Sequence, residues 1–150
     1  MKILIMGLPG SGKTWLAQEL KDILKCAWFN ADQVRQMTND WDFSQVARLR
    51  QAARMKNLAD FEKGEGSIVI CDFVCPTEMT RHIFDADFII WMDTISESRF
   101  ADTNQIFEIP TKYDVRIKKW ITIDQLLKCW EDFSPGTMGI EHFLLSLGRE

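Results

Sequence analysis

The sequence predicts an α/β fold, a parallel sheet with helices on both faces, and three observations carry that prediction. Residues 1–6 are a short apolar run leading into Gly-Leu-Pro-Gly-Ser-Gly-Lys-Thr at 7–14, and Leu16, Ala17, Leu20, Ile23 and Leu24 follow at helical spacing. Residues 67–71 and 87–92 are near-continuous apolar runs, the pattern of strands buried on both faces. Between these runs the apolar spacing turns helical, so strands and helices alternate as a three-layer sandwich requires. At 150 residues the chain has the length of one domain, and residues 1–150 are expected to fold as one unit.

The segment 7–14 fits G-x-x-x-x-G-K-[ST] without a gap, and the strand before it and helix after it are the setting this phosphate-binding loop requires. Gly7, Gly10 and Gly12 let backbone N–H groups turn inward around phosphate oxygens at the N-terminal end of a helix, and Pro9 and Ser11 complete the nucleotide-binding loop. Lys13 is then expected at the β- and γ-phosphates of a nucleoside triphosphate, with Thr14 holding Mg²⁺ through its hydroxyl.

Residues 26–29, Cys-Ala-Trp-Phe, suit a second buried strand. Asn-Ala-Asp-Gln-Val-Arg at 30–35 leaves its carboxyl end, where the ligand crevice of a parallel sheet lies. Asp32 and Arg35 are therefore expected beside the triphosphate, on one face of a helical turn. The polar stretch 38–44 carries Trp41 and Phe43, loop aromatics of the kind that grip ligands. Ser44 predicts the N-cap of a long helix to about Lys63, with Val46, Leu49, Ala53, Leu58 and Phe61 as its apolar positions. Arg48 and Gln51, three residues apart, offer a cation and an amide on one face to an anionic substrate.

Glycines at 64 and 66 end that helix, residues 67–71 form the third strand, and Asp72 at its end stands where a carboxylate orients Mg²⁺ or its waters. A helix from Thr77 to about Phe84 and a strand over 87–92 follow. The polar segment 93–109 reads as a lid, and Arg99 is the arginine it supplies. Pro110 breaks it, a last strand lies within 115–121, and Thr122 caps a helix to about Asp132. The tail from Ser134, with Pro135, Gly136 and Gly139 ahead of Phe143, Leu144 and Leu145, predicts no defined element.

Composition narrows the classes. Hydrophobic residues at 46% and charged ones at 27% describe an ordinary globular chain, and a net charge of −4 speaks against a broad nucleic-acid surface, which requires a basic face. Residues 1–3 enter the first strand directly, so no leader is expected, and no apolar run approaches the ~20 residues that cross a bilayer. A cytoplasmic protein with no membrane partner is the expectation. Cys26, Cys71, Cys75 and Cys129 contain no Cys-x-x-Cys pair and read as core thiols, while His82 and His142 are too isolated for a zinc site.

With these residues in view, the chain over roughly residues 2–121 resembles the adenylyl-sulfate kinase family of small P-loop kinases. That family follows its loop with Asp-Gly-Asp-Asn-Val-Arg, which stands here as residues 30–35. Its Gly-Phe-Ser step is Asp-Phe-Ser at 42–44, and its substrate-touching Arg and Asn fall on Arg48 and Gln51. Its third strand ends Ser-Phe-Ile-Ser-Pro, here Asp-Phe-Val-Cys-Pro at 72–76, with Arg81 on a later arginine. Asn30, Gln51 and Asp72 thus depart from the family's Asp, Asn and Ser, and its Arg-Asp and Lys-Gly-Leu-Tyr lid motifs are replaced by Asp-Thr-Asn-Gln-Ile-Phe at 102–107.

The resemblance implies a five-stranded parallel sheet in the order 2-3-1-4-5. It also implies ATP and Mg²⁺ as cofactors and transfer of a phosphoryl group to the ribose 3′-hydroxyl of adenylyl sulfate. Residues 10 and 12–14 would hold the nucleotide, Thr14 and Asp72 the Mg²⁺, and Asp32 would take or orient the acceptor's proton. Arg35 and Arg48 would bind its phosphosulfate, and Phe43 would stack on its adenine. A shorter stretch resembles polynucleotide 5′-hydroxyl kinase domains: the loop, an Asn-x-Asp-x-x-Arg step, and an Asp after the third strand. A nucleotide-binding module without catalysis is the third reading, disfavoured because Asp32, Arg35 and Asp72 exceed what nucleotide binding needs. All three allow a homodimer.

Overall fold

The computed structural model describes residues 1–64, 66–133 and 139–149. Five strands form one sheet: β1 (Lys2–Met6), β2 (Ala27–Asn30), β3 (Val69–Asp72), β4 (Phe88–Met92) and β5 (Val115–Ile117). Every pairing is parallel and the order is β2-β3-β1-β4-β5, as expected. The helices are α1 (Lys13–Leu24), α2 (Ala31–Thr38), α3 (Gln45–Gly64), α4 (Glu78–Phe84), α5 (Ala101–Ile106), α6 (Ile123–Glu131) and α7 (Ile140–Ser146).

The period of two along β1 builds both cores. Ile3 and Ile5 pack with Leu16 and Leu20 of α1, Leu126 of α6 and Phe143 of α7. Leu4 and Met6 point the other way, onto Val34 of α2, Met55 of α3 and Phe84 of α4. Burial on both faces is why the central strand reads as an unbroken apolar run.

The caps expected at Ser44 and Thr122 are present: the Ser44 hydroxyl accepts from the Ala47 amide at 3.2 Å, and Thr122 closes a capping box with Gln125. Thr77 closes a further capping box with Thr80. The expected apolar face of α3 is corrected: Val46 and Phe61 are exposed, and Leu49, Ala53 and Leu58 only half-buried. The buried side is Ala47, Gln51, Ala52, Met55 and Ala59. Alanines let the helix backbone lie close to the sheet, so this helix buries its small apolar side chains and turns two large ones outward. Strand β3 begins at Val69, not Ser67, and takes in Asp72. The lid segment contains α5 and the tail contains α7, neither of which was expected. Pro135 and Gly136 lie outside the described residues. Among the described residues all four cysteines are free, and no helix is long and apolar enough to cross a membrane.

Candidate active site

The phosphate-binding loop leaves the carboxyl end of β1, the middle strand, and feeds α1. Gly7 is required by space: at φ 151°, a Cβ there would lie 2.5 Å from the Met92 carbonyl and 2.9 Å from the Ser11 hydroxyl. Gly12, at φ 98°, is required by conformation and also carries the Trp120 ring, which a Cβ would meet at 2.4 Å. The Thr94 hydroxyl donates to the Ser11 carbonyl at 2.8 Å, tying the root of the lid to the loop. Ser11 Oγ is buried without a hydrogen-bond partner among the described residues.

Lys13 is buried and donates from Nζ to the Leu8 carbonyl at 2.9 Å. Burial pulls its pKa from 10.5 down to about 8, against the opposing pull of Asp72 and Asp32. Those two carboxylates offset only part of the ammonium's lost hydration, and phosphate oxygens can supply the rest.

Beside it lies a four-residue polar cluster. Thr14 Oγ1 donates to Asp72 Oδ2 at 2.9 Å, and Trp28 Nε1 donates to Asp72 Oδ1 at 2.6 Å. Asn30 Nδ2 reaches both carboxylate oxygens, at 3.1 and 3.3 Å, while its Oδ1 caps α2 through the Gln33 amide at 3.1 Å. Asn30 and Asp72 are register partners across β2 and β3. The resembling family's Asp and Ser at these positions therefore become Asn and Asp, and the one carboxylate has moved to the neighbouring strand. Burial raises the Asp72 pKa, and the Trp28, Thr14 and Asn30 hydrogen bonds oppose it. A hydroxyl and a carboxylate are hard oxygen donors, a set that fits Mg²⁺ completed by phosphate and water.

A cavity of about 880 Å³ opens from this cluster and brings Lys13, Asp32, Phe43, Arg48 and Arg99 to one space. Asp32 is exposed in the first turn of α2, and Asn30, not Asp32, caps that helix. Arg35 is buried: its Nη1 donates to the Asp40 and Asp42 carbonyls, both at 3.0 Å, and its guanidinium sits 4.4 Å from the Phe43 ring centre. Arg48 lies 5.5 Å from the same ring centre, so both guanidinium groups are within cation–π distance of Phe43. Asp40 bridges Arg50 at 2.9 Å and Arg54 at 2.7 Å, and these hydrogen bonds hold its carboxyl well below the usual carboxylate range.

Arg48 also links α3 to the lid. Its Nε donates to the Phe43 carbonyl at 2.9 Å, its Nη2 donates to Thr103 Oγ1 at 3.2 Å, and Asp102 lies 3.6 Å away. Gln51 is buried and joins α3 to α2 by donating to the Ala31 carbonyl at 3.0 Å. Arg81 fixes the far root of the lid, donating to the Cys75, Pro76 and Glu108 carbonyls at 3.0, 3.1 and 2.5 Å. Arg99 lines the cavity and lies 4.9 Å from the Phe100 ring centre.

The sequence reading passed over Trp28, Thr103 and Trp120. A signal existed for Trp28, since its spacing of two from Asn30 puts both side chains on one face of β2, beside Asp72 once β2 neighbours β3.

A phosphate-binding loop on the central strand of a parallel 2-3-1-4-5 sheet, roofed by a lid, defines the P-loop kinase fold class. The family model for adenylylsulphate kinase matches residues 1–95. A probable adenylyl-sulfate kinase of Aeropyrum pernix is 34% identical over 88 residues, 53% of this chain and 46% of the relative. An adenylyl-sulfate kinase of Pseudomonas entomophila is 36% identical over 83 residues, 51% of this chain and 40% of the relative. The structure of the APS kinase CysC of Mycobacterium tuberculosis, in complex with AMPPNP and APS, superposes with a TM-score of 0.71. It is 18% identical, over 87% of this chain and 95% of that one, a likeness of fold. The chain belongs to the adenylylsulphate kinase family. It spans under half the length of the curated relatives it matches, and the matched stretch stops at residue 95, ahead of α5, β5, α6 and α7 and short of the expected residue 121.

Proposed function

We propose that residues 1–150 act as one cytoplasmic kinase domain that transfers the γ-phosphoryl group of ATP to the 3′-hydroxyl of adenylyl sulfate, giving 3′-phosphoadenylyl sulfate for sulfate assimilation. The observation that carries the reading is the single cavity onto which Lys13, Thr14, Asp32, Phe43 and Arg48 all open. Phosphoryl transfer asks mainly for positioning and charge neutralisation, and these residues supply both.

Lys13 meets the β- and γ-phosphates, whose charge restores what its burial removes. Thr14 and Asp72 hold Mg²⁺, which when bound neutralises the phosphate oxygens. Asp32, exposed and lining the same cavity as Lys13, accepts a hydrogen bond from the acceptor hydroxyl and takes its proton as the acceptor's O–P bond forms and the bond from the γ-phosphorus to the departing ADP breaks. Phe43, backed by Arg35, offers a ring face to the acceptor's base. Arg48 keeps Nη1 without a protein partner among the described residues and offers it to the phosphosulfate, as Arg35 does with Nε and Nη2. Arg99 brings the lid's positive charge to the reacting phosphate.

A 5′-hydroxyl polynucleotide acceptor is the second reading, favoured by the Asp72 carboxylate at the Thr14 hydroxyl. A thermal-shift experiment separates the two. With ADP present, adenylyl sulfate at a hundredfold excess over Kd should stabilise the protein by about 2.7 kcal/mol. Arg48→Ala should abolish most of that gain. Stabilisation by a 5′-hydroxyl oligonucleotide instead, with none from adenylyl sulfate, would establish the second reading.

A further inference from the structure

Asp72 is unusual among the polar groups of the site in being held from behind as well as from the front. Thr14, facing the phosphate-binding loop, meets its Oδ2 at 2.9 Å. On the other oxygen the Trp28 indole N–H donates at 2.6 Å, the shorter of the two contacts. Trp28 is half-buried against the core formed with α1, so its ring is fixed by packing, and Asn30, two residues further along β2, completes the grip. An indole N–H donates and never accepts, so it can serve only the carboxylate oxygen in front of it.

We propose that Trp28 is a positioning residue for the metal site: its N–H locks the Asp72 carboxylate in rotation so that Oδ2 stays turned toward the Thr14 hydroxyl, the second group that would hold the cation. The inference rests on the kinase reading of the loop and extends it to a side chain that does not line the cavity. A carboxylate free to rotate about its last bond would offer the cation either oxygen in many orientations. Clamped at Oδ1, it offers one oxygen in one direction, beside the hydroxyl. Partners behind a metal ligand set its orientation in this way, and their loss weakens metal binding.

Trp28→Phe tests the proposal, since it keeps a buried ring and deletes the N–H. Mn²⁺ is titrated calorimetrically into protein saturated with ADP, and ADP affinity without metal and the melting temperature are measured beside it. The variant should bind Mn²⁺ about ten- to a hundredfold more weakly in the ADP complex. Metal-free ADP affinity should be unchanged. Trp28→His, whose ring can return an N–H, should recover part of the loss. In an Asp72→Asn background Trp28→Phe should have no further effect on Mn²⁺. If Phe at this position does not fold, Trp28→Met carries the same comparison. Unchanged Mn²⁺ affinity in Trp28→Phe, or a loss of metal-free ADP affinity of the same size, would overturn the proposal while leaving the kinase reading standing. Failure of the unaltered protein to bind ADP would instead refute the kinase reading, and this proposal with it.

Discussion

Replacing Lys13 by Met should make the ligand-free protein no less stable at neutral pH, although it removes the residue proposed to meet the nucleotide's phosphates. Burial lowers the Lys13 pKa from 10.5 to about 8. At ~1.4 kcal/mol per pH unit, holding this buried amine charged costs the folded chain about 3 kcal/mol. Met removes that cost but leaves the Leu8 carbonyl without its donor, a loss of about 1–3 kcal/mol that offsets much of the gain. The variant should therefore lie between unchanged and about 2 kcal/mol more stable near pH 7.

The pH dependence sharpens this. Below about pH 8 the amine is charged in folded and unfolded chains alike, and the folded chain bears the full desolvation cost. Between about 8 and 10.5 the unfolded chain still holds a proton that the folded one has released, so wild-type stability rises with pH through this window. The variant has no such rise, and its stability relative to wild type should fall by about 3 kcal/mol across the window. Urea unfolding followed by tryptophan fluorescence, at several pH values for both proteins, gives the difference directly. ADP should stabilise only the wild type. A wild-type-minus-variant difference that stays flat with pH, or a variant several kcal/mol less stable at pH 7, would refute the account of Lys13 as a desolvated cation awaiting phosphate.

Asp32→Asn keeps the shape and removes the base, and should lower kcat by about 10²–10⁴-fold with ATP affinity little changed, as steady-state kinetics and ADP titration would report. A collapse of ATP binding would move Asp32 to the metal site, and no change in either quantity would reduce it to a surface carboxylate of α2. Asn30→Asp sets a second carboxylate against Asp72, at a position now 3.1 Å from it, and should impair Mn²⁺ binding and stability together. Adding Asp72→Ser to that variant returns the site to one carboxylate and should recover metal binding, measured by the same calorimetry.

Much of the architecture was legible because the decisive signals are local. The phosphate-binding loop needs its residues at fixed spacing, β1, β3 and β4 are buried on both faces and so read as apolar runs, and Thr122 announces α6 as its cap. The buried face of α3 was hidden because its core side is made of alanines and Gln51, whose burial depends on how closely the helix approaches the sheet. Arg81 matched a family position, yet its work is done on backbone carbonyls, which no side-chain pattern reveals. Arg48 was legible as a cation at the site, whereas its bond to Thr103 joins positions 55 residues apart and needed the fold. The tie from Trp28 to Asp72 spans 44 residues, yet its signal was there, since the expected strand order sets β2 beside β3 and Trp28 shares a face with Asn30.

The central claim is that this chain phosphorylates adenylyl sulfate. γ-Labelled ATP and Mg²⁺ are supplied to the purified protein with adenylyl sulfate in one reaction and a 5′-hydroxyl oligonucleotide in another, and the labelled products are separated and identified. The account predicts label in 3′-phosphoadenylyl sulfate, absent with Lys13→Met and strongly reduced with Asp32→Asn. Label on the oligonucleotide and none on adenylyl sulfate would contradict it.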